Sequence, residues 1–477
     1  MTNMPVAPTR TSQTVALITT LFTGICLTCS ALALDAVPHG LQTLKSLDDR
    51  QIETRALQIQ AWTTHEGAGV LFIETREIPV VDVSIRFAAG SSRDDDAPGL
   101  AAMTLKMLSQ GAEGMEAQLI GETLDQLGAQ LTSSLDKDEA RLSLRTLSDN
   151  ETRNAAVQLL TRLVSEPAFT PAAIDRAKAS LLNELKITRH NRTALAQQDL
   201  HARLYAGHPY ASAQQGNDQS LGLIDEGHVR AFHQKAYTAA NALLVIVGDI
   251  SLDDATTLSI ALSQALPQGL ALAPVAITTA FAPPAGHTHL DSPASQTLIL
   301  LAQPGVPAQH PDYVALQVAN LIFGGASHNR LMNELRHKHG LTYGASSFMP
   351  AWHAGGPWTI SLQTEPGLQD AAIERVKALF SQWLDEGPTE QELTAAKRQL
   401  AGNLPLTSAS NAQMLQQLLI MGAHGLPRHF DALAMQAQSL TRQDIKEAIN
   451  RQFKSDQWVI TSHGPIAAQR PIPAVHP

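Results

Sequence analysis

No cysteine occurs after residue 29. Cys26 and Cys29 both fall within the first 33 residues, so a chain cut after that stretch holds no thiol. Disulfides, cysteine-held metals and a cysteine nucleophile are then excluded. There is no His-x-x-Glu-His or His-Glu-x-x-His run, so no helix offers two imidazoles and a carboxylate to one ion. No Gly-x-Ser-x-Gly turn is present to expose a serine nucleophile. No block of lysine and arginine interrupts a formal net charge of −10, which argues against nucleic acid as a partner. Beyond the N-terminus, no stretch is long and apolar enough to span a bilayer.

What is present is a globular composition. The chain has 477 residues, 44% hydrophobic and 16% charged, enough for more than one domain and a large core. Residues 1–33 read as a secretory signal. Arg10 is the only charge, Val15 to Leu32 is largely apolar with several threonines, and Ala31-Leu32-Ala33 fits a small-x-small cleavage pattern. A membrane anchor is the alternative, opposed by the short, threonine-broken core. Neither Cys26 nor Cys29 follows a lipoprotein-like stretch. A thiol-free exported chain suits the periplasm of a Gram-negative bacterium, which is the expected location.

Strand and helix periods alternate along the chain. Val70-Leu71-Phe72-Ile73 reads as a strand, and Val81 to Ala88 alternates like a half-buried one. Pro98-Gly99 precedes a helix containing Met103 and Met107. Ala140 to Arg145 alternates, Asn154 to Val164 and Pro171 to Ile187 read as helices, and Leu243 to Val247 reads as a strand. Pro171 fits a first-turn proline capped by Thr170. A repeat then appears. Leu142–Thr146, a helix, Glu166-Pro167 and a helix ending Asn183-Glu184-Leu185 recur as Ile360–Thr364, a helix, Gly387-Pro388 and a helix ending Gly402-Asn403-Leu404. A period near 200 residues is too long for a solenoid and implies two duplicated α+β domains, each a sheet with helices packed on it. The expected boundaries are 45–268 and 294–470, joined by a proline-bearing linker over 269–293.

Several ordered motifs resemble one family. The first half carries Gly90-Ser91-Ser92, Asp94-Asp95, Pro98-Gly99-Leu100-Ala101, His208-Pro209-Tyr210 and Asn241 to Asp249. The second carries Phe323-Gly324-Gly325 and the run from Arg330 to Tyr343. Their order and spacing resemble the pitrilysin/insulinase peptidases, family M16, which include the mitochondrial processing peptidases. The resemblance implies two homologous α+β domains of the LuxS/MPP type, facing each other as a clamshell around a peptide chamber.

The same resemblance locates a degenerate metal site. Family members read Gly-Leu-Ala-His-x-x-Glu-His-Met-Leu where this chain reads Gly99-Leu100-Ala101-Ala102-Met103-Thr104-Leu105-Lys106-Met107-Leu108. Two histidines four apart leave one helix face toward one ion, and the glutamate activates its water. Here Ala102 and Lys106 hold the ligand positions and Leu105 holds the base position. Alanine has no lone pair, leucine takes no proton, and a lysine ammonium repels a cation. Glu184 falls at the third ligand position, where it is either a solvated helix residue or the partner of Lys106. No metal is expected on this chain, and zinc is expected on a partner subunit that carries His-x-x-Glu-His.

Arg336 and Tyr343 match the arginine and tyrosine that the family presents to the scissile peptide. A guanidinium and a phenol hydrogen-bond a peptide carbonyl. The plain alternative is an exposed arginine and a core tyrosine. The 18 histidines read by default as scattered surface or core groups, His228, His233, His337 and His339 among them. The function expected is therefore that of a non-catalytic, substrate-binding subunit of a zinc metallopeptidase, with peptide as ligand. A stand-alone peptide-binding or scaffolding protein is the alternative. An active peptidase with a relocated site is least supported.

Overall fold

The computed structural model describes residues 57–277 and 285–472. The stretch read as an export signal, 1–33, lies outside them, as do residues 278–284 of the connecting segment.

Two sheets of one plan organise the chain. The first contains β1 (Gln60–Thr63), β2 (Gly69–Glu74), β3 (Val80–Phe87), β4 (Gln130–Leu135), β5 (Ala140–Leu147) and β6 (Ala242–Gly248), in the order β1-β2-β6-β3-β5-β4. The second contains β7 (Gly286–Asp291), β8 (Thr297–Pro304), β9 (Ala345–Phe348), β10 (Pro357–Thr364) and β11 (Val459–Gly464), in the order β9-β10-β8-β11-β7. The sheets match strand for strand, apart from the extra β1. In each, one pair is parallel, β2 with β6 and β7 with β11, and the remaining pairs are antiparallel. The duplication read from the sequence is thus a duplicated topology.

Helices repeat too. The first half has α1 (Leu100–Met107), α2 (Asn150–Ser165), α3 (Pro171–Thr188), α4 (Arg192–Leu204) and α5 (Glu226–Ala236). The second has α6 (Gln369–Glu386), α7 (Glu390–Thr407), α8 (Asn411–His424) and α9 (Arg442–Gln452). The Thr170 side chain accepts the Ala173 N–H at 3.3 Å and caps α3, with Pro171 in the first turn. Thr389 and Glu392 form the reciprocal cap of α7.

Each half lends one helix to the other. α4 lies across β8 and β11 of the second sheet, burying Ala196, Leu200 and Leu204 against Leu298 and Leu300. α8 lies across β6, β3 and β2 of the first, burying Met414, Leu418 and Leu419 against Leu71, Val245 and Val247. Gly422 permits this approach, since a Cβ there would stand 2.6 Å from Leu243 Cδ2. This exchange corrects the reading of β3 as half-buried. Asp82, Ser84 and Arg86, its polar residues, are buried as well as its apolar ones. The two charges are neutralised in place: Arg145 forks onto Asp82 at 2.8 and 3.0 Å, and Arg86 pairs with Glu139.

The second sheet also begins earlier than expected. β7 lies inside the stretch read as linker. Its Gly-His-Thr-His-Leu-Asp sequence hides the strand, because an edge strand with few apolar residues shows little alternation. A loop of the second half, Trp352 to Gly355, completes the junction. Asp138 accepts the His353 N–H at 2.8 Å and the Tyr210 hydroxyl at 2.6 Å. The same hydroxyl oxygen accepts the Ala354 N–H at 3.0 Å, and Tyr205 donates to the Gly355 carbonyl at 3.1 Å.

Candidate functional site

The helix that resembles a metal-binding helix is α1. Gly99 enters it with φ 93°, in the left-handed region where a side chain is strained. The helix has no cap from that residue. Instead the buried Asp94 carboxylate accepts the N–H groups of Gly99 at 2.8 Å and Ala101 at 2.7 Å. Burial outweighs those bonds and pushes the Asp94 carboxyl up to about 7. α1 then packs on α3, α5 and β4, with Met103 and Met107 fully buried.

Ala102 and Leu105 are both buried and belong to the apolar core of the first half. Lys106 forms an ion pair with Glu184 on α3, and Ser180 donates to the same carboxylate oxygen at 3.4 Å. The bland reading of Glu184 as a merely solvated group is therefore replaced by a pair, with side-chain exposures of 25% for the lysine and 38% for the glutamate. An ammonium stands beside the one carboxylate left of the set. The donors do not fit zinc: a methyl, an isobutyl and an ammonium supply no lone pair while the lysine is protonated. Among the described residues, no three His, Cys, Asp or Glu side chains are grouped so as to hold a metal.

Partial exposure limits what the pair contributes. Lys106→Ala is expected to cost about 1 kcal/mol, above a fully exposed pair and below a buried one. A double-mutant cycle with Glu184→Ala, read by urea unfolding, should return most of that as coupling. Coupling indistinguishable from zero removes any structural role for the pair.

Arg336 and Tyr343 lie in the second half, close to the edge strand β9. Arg336 sits on a π-helical segment, Met332–Lys338, whose wider turn re-aims its side chains. The segment is tied down from beneath. The Glu334 carboxylate is buried and accepts from Lys338 Nζ at 2.9 Å and His339 Nε2 at 3.1 Å, and it also pairs with Arg375. Burial alone would raise the Glu334 pKa, but Arg375 and Lys338 hold it down at about 2. Arg330 forks onto Glu392 at 2.6 and 2.7 Å with its guanidinium 4.8 Å from the Trp383 ring. Above this base, Arg336 is exposed and Tyr343 is 83% exposed. Neither side chain hydrogen-bonds or pairs with another described residue. The core-tyrosine reading is thereby excluded. A cleft of about 530 Å³ opens beside the segment, lined by Arg330, Asn333, Glu334, His337 and Lys338, but Arg336 does not line it.

Residues 70–217 match the family described as Insulinase (Peptidase family M16), and residues 224–400 match the Peptidase M16 inactive domain. A solved structure described as the peptidase M16 inactive domain from Pseudomonas fluorescens is 40% identical, with a TM-score of 0.82, covering 87% of this chain and 100% of that one. The chain belongs to peptidase family M16. Within M16 it is a non-catalytic member. The non-peptidase homolog YmxG of Helicobacter pylori is 25% identical over 386 residues, spanning 80% of this chain and 88% of that protein. Another M16 relative is named as a subunit: the probable mitochondrial-processing peptidase subunit beta of Schizosaccharomyces pombe is 21% identical over 446 residues, 89% of this chain and 95% of that one.

The M16 frame brings Lys106 and Glu184 together, and it keeps Ala102 and Leu105 on the helix that carries Lys106. No hydrogen bond or ion pair links Arg336 or Tyr343 to that group. Three of the histidines named from the sequence have structural partners: His228 with Asp225 at 2.6 Å, His233 with the Val164 carbonyl at 2.8 Å, and His339 with Glu334. The sequence reading missed two open sheet edges, β4 beside α1 and β9 after Tyr343. Short strands rich in serine and threonine gave little apolar alternation to find them by. No helix among the described residues is long and apolar enough to cross a membrane.

Proposed function

We propose that this chain is the substrate-holding, non-catalytic subunit of a periplasmic zinc metallopeptidase of the M16B type. Its partner carries the intact His-x-x-Glu-His helix and the zinc, which supplies the activated water. This chain supplies Arg336 and Tyr343 to the peptide chamber the two share. The observation that carries the reading is a contrast. The metal donors are replaced by an alanine, a leucine and a paired ammonium, while the arginine and tyrosine remain exposed and unpaired above a rigid base.

The chemistry follows from those two groups. The Arg336 guanidinium and the Tyr343 hydroxyl donate hydrogen bonds to the carbonyl of a bound peptide and so orient it. The strand β9 begins two residues beyond Tyr343 and has a strand neighbour on one side only; beyond the Ala345 N–H, which donates to Met332 Sδ at 3.3 Å, its outer edge offers an extended peptide a place as an added strand. Phe348 on that strand is 66% exposed and offers an apolar contact.

Native purification with mass spectrometry tests the reading. The expected result is a co-eluting His-x-x-Glu-His chain, with peptide cleavage seen in the mixture and absent from this chain alone. In the assembled pair, Arg336→Ala should lower kcat/KM about tenfold, the worth of one hydrogen bond to substrate. Unchanged turnover with the complex intact contradicts the shared site. Peptide binding without any peptidase partner favours the stand-alone binding protein instead.

A further inference from the structure

We infer that His353 and His424 form an acid-sensitive latch between the two halves of the molecule, closed while both rings are neutral and released when they gain protons. The two rings lie at 42° to each other with centroids 4.8 Å apart. His353 belongs to the loop of the second half that completes the junction, and His424 ends α8. Arg86 of β3, in the first half, brings Nη2 within 3.1 Å of His353 Nε2. A guanidinium only donates, so that nitrogen must accept and the ring must carry no proton there. The His424 ring is buried and hydrogen-bonds to the Ala351 backbone in the approach to the same loop. Its Nδ1 is buried with no hydrogen-bond partner. A proton added there becomes an N–H with no acceptor, in a place that already feels the Arg86 charge. Neutral rings fit the junction and charged ones do not.

The surrounding charges set the direction. Burial lowers the His353 pKa, Arg86 and Arg93 push the same way, and the carboxylates of Asp138 and Glu139 oppose them. Burial, His353 and Arg86 together bring His424 down to about 4, against the hydrogen bond to Ala351. An unfolded histidine takes its proton near 6.5. The stability that the neutral rings contribute is therefore whole above that pH and is lost as pH falls toward about 4. Asp94 and Asp136, raised by burial to about 7 and about 6, bind protons in the folded state over the same range and so stabilise it. Whole-chain stability thus masks the latch, and its release is read at the loop. His201 on α4 is the rival titrating group. It packs against Trp352 with ring centroids 5.5 Å apart, and burial with Lys137 brings it down to about 4 as well.

Trp352 reports the release, because its ring packs 5.1 Å from that of Tyr210 at the junction. Fluorescence of the full chain is followed from about pH 7.5 to about pH 4, with Trp352→Phe marking the share of that residue. Wild type should show a red shift with a midpoint between 6.5 and about 4. His353→Gln and His424→Gln, whose side chains do not titrate, should each lower the midpoint by about one unit or more, or remove the shift. His201→Gln should leave it in place. No shift in wild type, a wild-type midpoint in either of the first two variants, or a midpoint that follows His201 overturns the latch. Should those variants fail to fold, hydrogen exchange of the wild-type chain decides, corrected for the intrinsic rate at each pH. Below about pH 5 the amides of His353 and Ala354 should lose protection at least about tenfold while those of β8 keep theirs. Loss in both places together, or in neither, overturns the latch.

Discussion

Replacing Ala102, Leu105 and Lys106 together by His, Glu and His is expected to yield a chain that holds one zinc ion per molecule at α1, where the natural chain is expected to hold none. Positions 102 and 106 are four apart on one helix, so two imidazoles placed there leave the same face. The Lys106 side chain already reaches Glu184 across to α3, which sets a carboxylate at the far side of that face. Two imidazoles and a carboxylate at about 2.0 to 2.2 Å with an open fourth position are a normal zinc donor set. The cost is crowding. Ala102 and Leu105 are buried, and enlarging a packed site costs about 1 to 3 kcal/mol. Zinc binding is worth about 10 kcal/mol or more in structural sites and outweighs it. Metal analysis after exhaustive dialysis reads the result. Glu184→Gln in the triple variant should lose most of the bound zinc. A folded triple variant that binds no zinc shows that α1 and α3 no longer face each other as a metal site requires.

Asp138→Ala should destabilise the chain by about 3 to 5 kcal/mol, although Asp138 touches neither candidate site. Its carboxylate is buried and receives the Tyr210 hydroxyl and the His353 N–H, one from each half of the molecule. Removing it strands both donors away from water, and hydrogen bonds to a charged group are worth about 1.5 to 3 kcal/mol each. Asp138→Asn keeps one acceptor and should cost roughly half as much. The midpoint of urea unfolding measures both. A loss below about 1 kcal/mol for the alanine variant would mean that the exchanged helices α4 and α8 hold the junction without this loop.

The duplicated plan was legible because strand, helix, proline turn and helix recur with local periods and caps, and these survive in one sequence. Thr170 with Pro171 and Thr389 with Glu392 are such local marks. The exchange of α4 and α8 was not legible. An amphipathic helix declares that it buries one face, not which sheet covers it. For the same reason the alternation of β3 looked half-buried, until α8 arrived from 330 residues away by sequence to cover the second face. β7 escaped because its polar residues carry no alternation. At the candidate site, the chemistry of Ala102, Leu105 and Lys106 could be judged from residue type alone. The pairing of Lys106 with Glu184 needed the helix packing to turn an open alternative into a contact. Tyr343 went the other way: an aromatic residue invites burial, and only the structure places it in solvent.

At α1 the Lys106 ammonium, paired with Glu184, stands where family members hold a metal ion. The most direct measurement is the zinc content and peptide hydrolysis of the wild-type chain purified alone, with and without a chelator. The expected result is no zinc retained at α1 and no chelator-sensitive cleavage. One retained zinc that is lost on Glu184→Gln, together with cleavage that the chelator abolishes, contradicts it.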